Sequence, residues 1–176
     1  MNKLTTAMFT ALAISITVAT PVSAHQGATG IVKERMDQMD IMKKSMKSMS
    51  AMFKGKTAYD AEAVRQHSRT IAKHSDTTLT KLFPEDSLQH ASEAKPVIWQ
   101  KWDKFEFLSA ELKRISEALE NSADVRESDS SEAAMSMTMD TAMMTETAAS
   151  DTADSLFREL ADTCSSCHTT FRKKKK

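Results

Sequence analysis

The chain has 176 residues, with 24 basic and 24 acidic side chains and a formal net charge of zero, so no global field points to nucleic acid. Three glycines, three prolines and 6% aromatic residues, set against thirteen methionines, lean the chain towards helix at single-domain size.

Residues 1–24 carry Lys3 near the start, an apolar stretch over 7–18 and the small residues Val22-Ser23-Ala24, the pattern of a cleaved secretory signal. The mature chain is expected to be residues 25–176, starting at His25. The apolar stretch is short and threonine-rich for a membrane span, so no span is expected after cleavage.

The first mature helix is expected over residues 31–54. Val32, Met36, Met39, Met42 or Lys43, Met46, Met49 and Phe53 recur at spacings of three and four, one face of an amphipathic helix. A methionine stripe at this spacing fills a core, and one of its thioethers can also serve as an iron ligand. Gly55-Lys-Thr57 reads as a C-cap and turn, and Asp60 as the N-cap of a second helix running to Leu82-Phe-Pro84. Val64, His67 or Ser68, Ile71, Thr78, Leu79 and Leu82 form its inward face. His67 and His74 read as packing or surface histidines. Lys95-Pro96 opens a third helix with Pro96 at its first position, and Ile98, Trp102, Phe105, Leu108 or Ser109, Leu112, Ile115 and Leu119 keep a seven-residue rhythm.

Composition changes over residues 121–154, where Ser, Thr, Ala, Met and acidic residues surround the lone Arg126. Without an apolar face, this stretch reads as an acidic low-complexity insertion between helices three and four. Met135, Met137, Met139, Met143 and Met144 bring five thioethers together within it, and a soft Cu(I) ion suits such ligands. A fourth helix is expected to begin near Asp151 or Asp154, with Leu156, Phe157, Leu160, Cys164, Cys167 or His168, and Phe171 on one side. Four amphipathic helices describe an all-α antiparallel four-helix bundle.

That last helix carries Cys164-Ser165-Ser166-Cys167-His168, a C-x-x-C-H run. Two thiols three residues apart can add to the vinyl groups along one porphyrin edge, and the following His168 is placed to ligate the iron. A thioredoxin-like couple wants a βαβ context that the sequence lacks, structural zinc needs a fourth ligand, and a plain disulfide leaves His168 as coincidence. One covalent haem c near the C-terminus is therefore expected. No acid, base and nucleophile set accompanies it, so the protein is not read as an enzyme. The basic tail at residues 173–176 is a solvated terminus or a docking patch for an acidic redox partner.

With its haem motif at the end of the bundle, the chain resembles the cytochrome c′ group of class II c-type cytochromes. Its marks are Glu34-Arg35, Ser45-Met-Lys-Ser-Met49, Leu82-Phe-Pro84, Glu93-Ala-Lys-Pro-Val-Ile-Trp99 and Cys164-Ser-Ser-Cys-His168-Thr-Thr-Phe-Arg172, spread over residues 30–119 and 156–172. The resemblance implies a periplasmic haem protein, a homodimer through the first two helices, Arg35 close to a haem propionate and Arg172 near the proximal His168. Counting four residues on from Arg35 puts Met39 at the family's distal position, with Met36 and Met42 as neighbours one turn out of register. A low-spin subgroup ligates the iron there through methionine, which implies a soluble His/Met electron carrier working with redox partner proteins. The alternative is a five-coordinate protein that binds NO or CO.

Overall fold

The computed structural model of the protein describes residues 27–88, 91–127 and 151–174. The expected signal segment, His25, His90 and the five clustered methionines from Met135 to Met144 lie outside the described residues.

Helix α1 spans Gly30–Phe53, and Gly55 at φ +65° takes the left-handed position that ends it, donating its N–H to the Met52 carbonyl at 3.0 Å. Helix α2, Ala61–Lys73, starts at Asp60, whose carboxylate accepts from the Ala63 N–H at 3.1 Å. A single turn α3, Thr77–Thr80, and another, α4, Val97–Gln100, precede the long helix α5, Trp102–Asn121. Helix α6 is Ala153–Phe171, and its N-cap is Thr152, which accepts from the Ser155 N–H at 3.2 Å. Among the described residues no strand forms and no helix is long and apolar enough to cross a membrane.

The four long helices α1, α2, α5 and α6 make an antiparallel bundle, with the pairing of distant residues setting its register. Arg69 of α2 meets Glu120 of α5, and Asp76, just past the end of α2, meets Ser109; Arg114 meets Glu159 while Phe105 meets Phe171 across α5 and α6. The apolar interior divides in two. A larger cluster fills the middle and one end, around Met49, Val64, Ile71, Ile115, Leu119, Leu156 and Leu160. A smaller one, Leu79, Leu82, Phe83, Ile98, Phe105 and Phe171, fills the end where α6 finishes. Fully burying one Leu or Ile side chain contributes about 1.5–3 kcal/mol, so the two clusters hold the helices together.

Four sequence expectations need correcting. The second helix does not run to Leu82: it stops at Lys73 because Asp76 turns to φ +56° and its N–H and carbonyl are taken by the Ser109 carbonyl (3.0 Å) and hydroxyl (3.2 Å) of α5. The third helix breaks at Lys101, whose N–H closes α4 on the Val97 carbonyl while its own carbonyl accepts the first bond of α5 from Phe105. On α1 the buried face is turned towards α2 and the 82–92 loop, so Arg35, Ser45 and Met52 are buried while Met36, Met39 and Met46 are half-buried. The acidic stretch is not wholly outside the core either. Ala123, Thr152 and Ala153 are buried, the Ala153 N–H reaches the Val125 carbonyl at 2.8 Å, and Arg126 binds Asp154 through two nitrogens at 2.7 and 2.9 Å while stacking 3.9 Å over Tyr59. These contacts join the flanks of residues 128–150 at the base of the bundle.

Candidate haem site

Cys164 and Cys167 fall three apart on α6, hence on one helical face, and both are half-buried free thiols. Cys164 packs on the larger apolar cluster and Cys167 on the smaller one, so the pair straddles the seam between them. Burial pushes both thiols up to about 11, which keeps them protonated near neutral pH, unlike the low-pKa thiols of redox couples. The inward position left open between Cys167 and His168 falls to Cys167; His168 sits on the outer side of the helix, exposed. Packing around its root lowers the imidazole pKa, Arg172 lowers it further, and Glu93 opposes both. Among the described residues no group of three or more His, Cys, Asp or Glu is arranged to hold a metal ion by itself.

Across the bundle, α1 brings Met39 to the same seam. Met39 packs against both clusters, the larger of which also takes Cys164 and the smaller Cys167. Met42 is buried within the larger cluster, and Met36 belongs to neither. The three candidates are thus separated by packing, where helical spacing alone left them within one turn.

One turn before Met39, Arg35 is 4% exposed. Its Nε and Nη2 donate to the Leu82 carbonyl at 3.1 and 2.6 Å, Nη2 also to the Ser87 hydroxyl at 2.9 Å, and Nη1 to the Ser92 hydroxyl at 3.1 Å. The guanidinium lies 4.0 Å over the Phe83 ring. Every one of these partners is neutral, and burial lowers the pKa of the group. Neutral dipoles replace only part of the hydration a buried cation loses, so with no acidic partner among the described residues an anion beside Arg35 would complete the pair.

The loop that holds Arg35 continues to the other side of the motif. Glu93 binds Arg172 at 2.7 and 2.6 Å, the Lys95 N–H reaches the Phe171 carbonyl and the Lys173 N–H the Glu93 carbonyl at 2.8 Å each, and Lys95 Nζ caps the Thr169 and Thr170 carbonyls at 3.1 and 3.2 Å. Arg172 donates its backbone N–H to the His168 carbonyl at 3.0 Å, and its charge is balanced by Glu93. Sequence reasoning did not assign Ser87, Ser92, Glu93 or Lys95 to the site. Glu93 stood only within a recognised run, and nothing local to it announces a partner 79 positions away.

A family model described as Cytochrome C′ matches residues 30–142. A cytochrome c-556 of Agrobacterium tumefaciens (strain II Chrys) is 30% identical over 149 residues, 83% of this chain and 99% of that protein.

The chain belongs to the cytochrome c′ family.

A cytochrome c′ of Pararhodospirillum photometricum is 32% identical over 128 residues, 72% of this chain and 83% of that one. The solved cytochrome c′ of Rhodopseudomonas palustris is similar with a TM-score of 0.61 and 25% identity, covering 85% of this chain and all (100%) of that chain. As a cytochrome c′, the protein is a four-helix bundle whose cofactor is covalently bound haem c. The residues present fit such a group. Two unpaired thiols, an imidazole next in sequence, a thioether on the facing helix and a buried cation lacking an anion all gather at one end of the bundle.

Proposed function

We propose that the protein is an exported, periplasmic one-electron carrier rather than an enzyme, its haem c joined through Cys164 and Cys167 and ligated by His168 and Met39. When bound, the haem would supply a one-electron couple, and ligation by the Met39 thioether together with the His168 imidazole would favour its ferrous state. Arg35 pairs with a propionate, which completes the buried ion pair; Arg172, balanced by Glu93, lies beside the proximal ligand. The observation that carries this reading is the place of Met39: alone among the three candidate methionines, it touches both apolar clusters on which the two cysteines lie. The ferric absorption spectrum of the holoprotein tests it. A low-spin spectrum at neutral pH that turns high-spin in Met39→Leu supports methionine ligation, and a high-spin parent spectrum overturns it.

The second reading is a five-coordinate protein binding NO or CO. It draws on a mutant of the Alcaligenes xylosoxidans cytochrome c′ solved as a nitric oxide complex, 20% identical to this chain. The same spectrum separates the two. A related cytochrome c′ is described with ligand-controlled dimer dissociation, and we extend a homodimer to this chain on that basis.

A further inference from the structure

The hydrogen bonds around Arg35 leave two buried donors over. A guanidinium carries five N–H groups, and here Nε and Nη2 both reach the Leu82 carbonyl, Nη2 also reaches Ser87, and Nη1 reaches Ser92. The second N–H of Nη1 meets no acceptor among the described residues. Ser92 is 3% exposed and has a shortfall of the same kind. Its Oγ accepts from Arg35 Nη1 at 3.1 Å and from the Ala94 N–H at 3.3 Å, which occupies both lone pairs and turns the hydroxyl hydrogen away from those two groups. That hydrogen also meets no acceptor among the described residues. Ser87 differs, because it is half-buried and its hydroxyl hydrogen can turn to solvent. The backbone around Ser92 is pinned: its carbonyl takes Lys173 Nζ at 2.9 Å, Glu93 holds Arg172 at 2.7 Å, and Ala94 bridges to Arg172. Two unmatched donors fixed side by side mark the place of an acceptor.

We propose that Ser92 is a cofactor-binding residue whose hydroxyl donates to the same haem propionate that takes the second Nη1 N–H of Arg35. The inference rests on the Arg35–propionate pairing of the proposed function. An ionised carboxylate is acceptor-only and offers two oxygens, so one can face the guanidinium while the other faces the hydroxyl. It also brings the negative charge that the neutral partners of Arg35 lack. No acidic side chain among the described residues bonds to Arg35 or Ser92, and Glu93, next to Ser92 in the chain, is bound to Arg172. The place fits as well. Arg35 is one turn before Met39, which packs on both apolar clusters, and Ala94, two residues after Ser92, packs with Cys167 on the smaller one. Donors to both oxygens fix the rotation of the carboxylate and favour its ionised form.

The test labels the two haem carboxyl carbons with carbon-13, supplied as labelled aminolevulinate, and follows them by NMR against pH in ferrous holoprotein under carbon monoxide, a diamagnetic state for either distal arrangement. In Ser92→Ala one carboxyl should titrate about one pH unit higher than in the parent, a roughly tenfold gain in proton affinity. Ser87→Ala also removes one acceptor from Arg35 but no donor from the carboxylate, so its effect should be about threefold or less. Equal shifts in the two serine variants, or none in Ser92→Ala, overturn the inference. A crystal structure of the parent holoprotein is a second measurement that needs no variant to fold. A propionate oxygen about 2.5–3.0 Å from Ser92 Oγ is expected, and a closest approach beyond about 4 Å overturns the inference. Arg35→Met separates the two failures. If the carboxyl titration moves there but not in Ser92→Ala, the role of Ser92 alone falls; if it moves in neither, the pairing with Arg35 falls with it.

Discussion

Arg35→Met tests whether the buried guanidinium is half of an ion pair with the cofactor. The substitution keeps most of the stem volume and removes the charge along with the four hydrogen bonds to Leu82, Ser87 and Ser92. If neutral oxygens were its only partners in the holoprotein, loss of those bonds would be offset by relief of the buried charge, leaving a net cost of about 0–1 kcal/mol. The Leu82 carbonyl loses its donor in either case; with a propionate against Arg35, removal strands a buried anion in addition. The cost then rises to about 3–5 kcal/mol. With a urea m-value of about 2 kcal/mol per molar, the midpoint falls by roughly 1.5–2.5 M. Urea unfolding of parent and variant holoprotein at pH 7 measures this, and a pH titration of the reduction potential gives a second reading. A stranded propionate loses its cationic partner, so its pKa rises and its titration should enter the accessible range. A variant within about 1 kcal/mol of the parent refutes the pairing.

Glu93→Gln should raise the reduction potential by about 30–60 mV, a three- to tenfold change in the one-electron equilibrium, because Arg172 beside His168 loses its balancing charge and disfavours ferric iron. Arg172→Gln should lower it, with protein-film voltammetry reading both; shifts of the same sign would sink the idea. The hydrogen bond from Arg126 holds the Asp154 carboxyl below the usual range, so its contribution is present above the unfolded pKa of about 3.9 and is lost as pH falls through the folded value. Asp154→Asn should therefore cost about 1–3 kcal/mol at pH 7 and progressively less in acid, measured by denaturant midpoints across pH; an equal cost at pH 7 and pH 2 contradicts the linkage. Replacing residues 128–150 with a short Gly-Ser linker should leave the unfolding free energy within about 0.5 kcal/mol, because the Ala153–Val125 and Arg126–Asp154 contacts survive. Extending the cut through Arg126 should be markedly more damaging.

Local chemistry made much of the protein readable. Gly55 and Asp60 act at the backbone positions their own conformations and side chains favour, and the apolar rhythm of α5 follows from 3.6 residues per turn, so neighbouring residues suffice to find them. The C-x-x-C-H run is legible for the same reason, since its whole chemistry lies within one helical turn. The four-helix bundle followed from these pieces, while the cytochrome c′ family was recognised by resemblance over the longer runs around Arg35, Pro84, Trp99 and His168. What stayed hidden depends on partners far along the chain. The end of α2 is decided by Ser109, the end of the acidic stretch by Arg126 and Asp154, and the surroundings of Arg172 by Glu93.

Sequence by itself determined which groups this protein has for holding a haem and that they ride on amphipathic helices, because covalent spacing and helical period are properties of a continuous stretch. Tertiary structure alone decided which methionine reaches the seam beside the cysteines, and that Arg35 is buried with no acidic partner among the described residues. Those are outcomes of helix rotation and burial, set by how whole faces pack against one another rather than by the order of residues along any one of them.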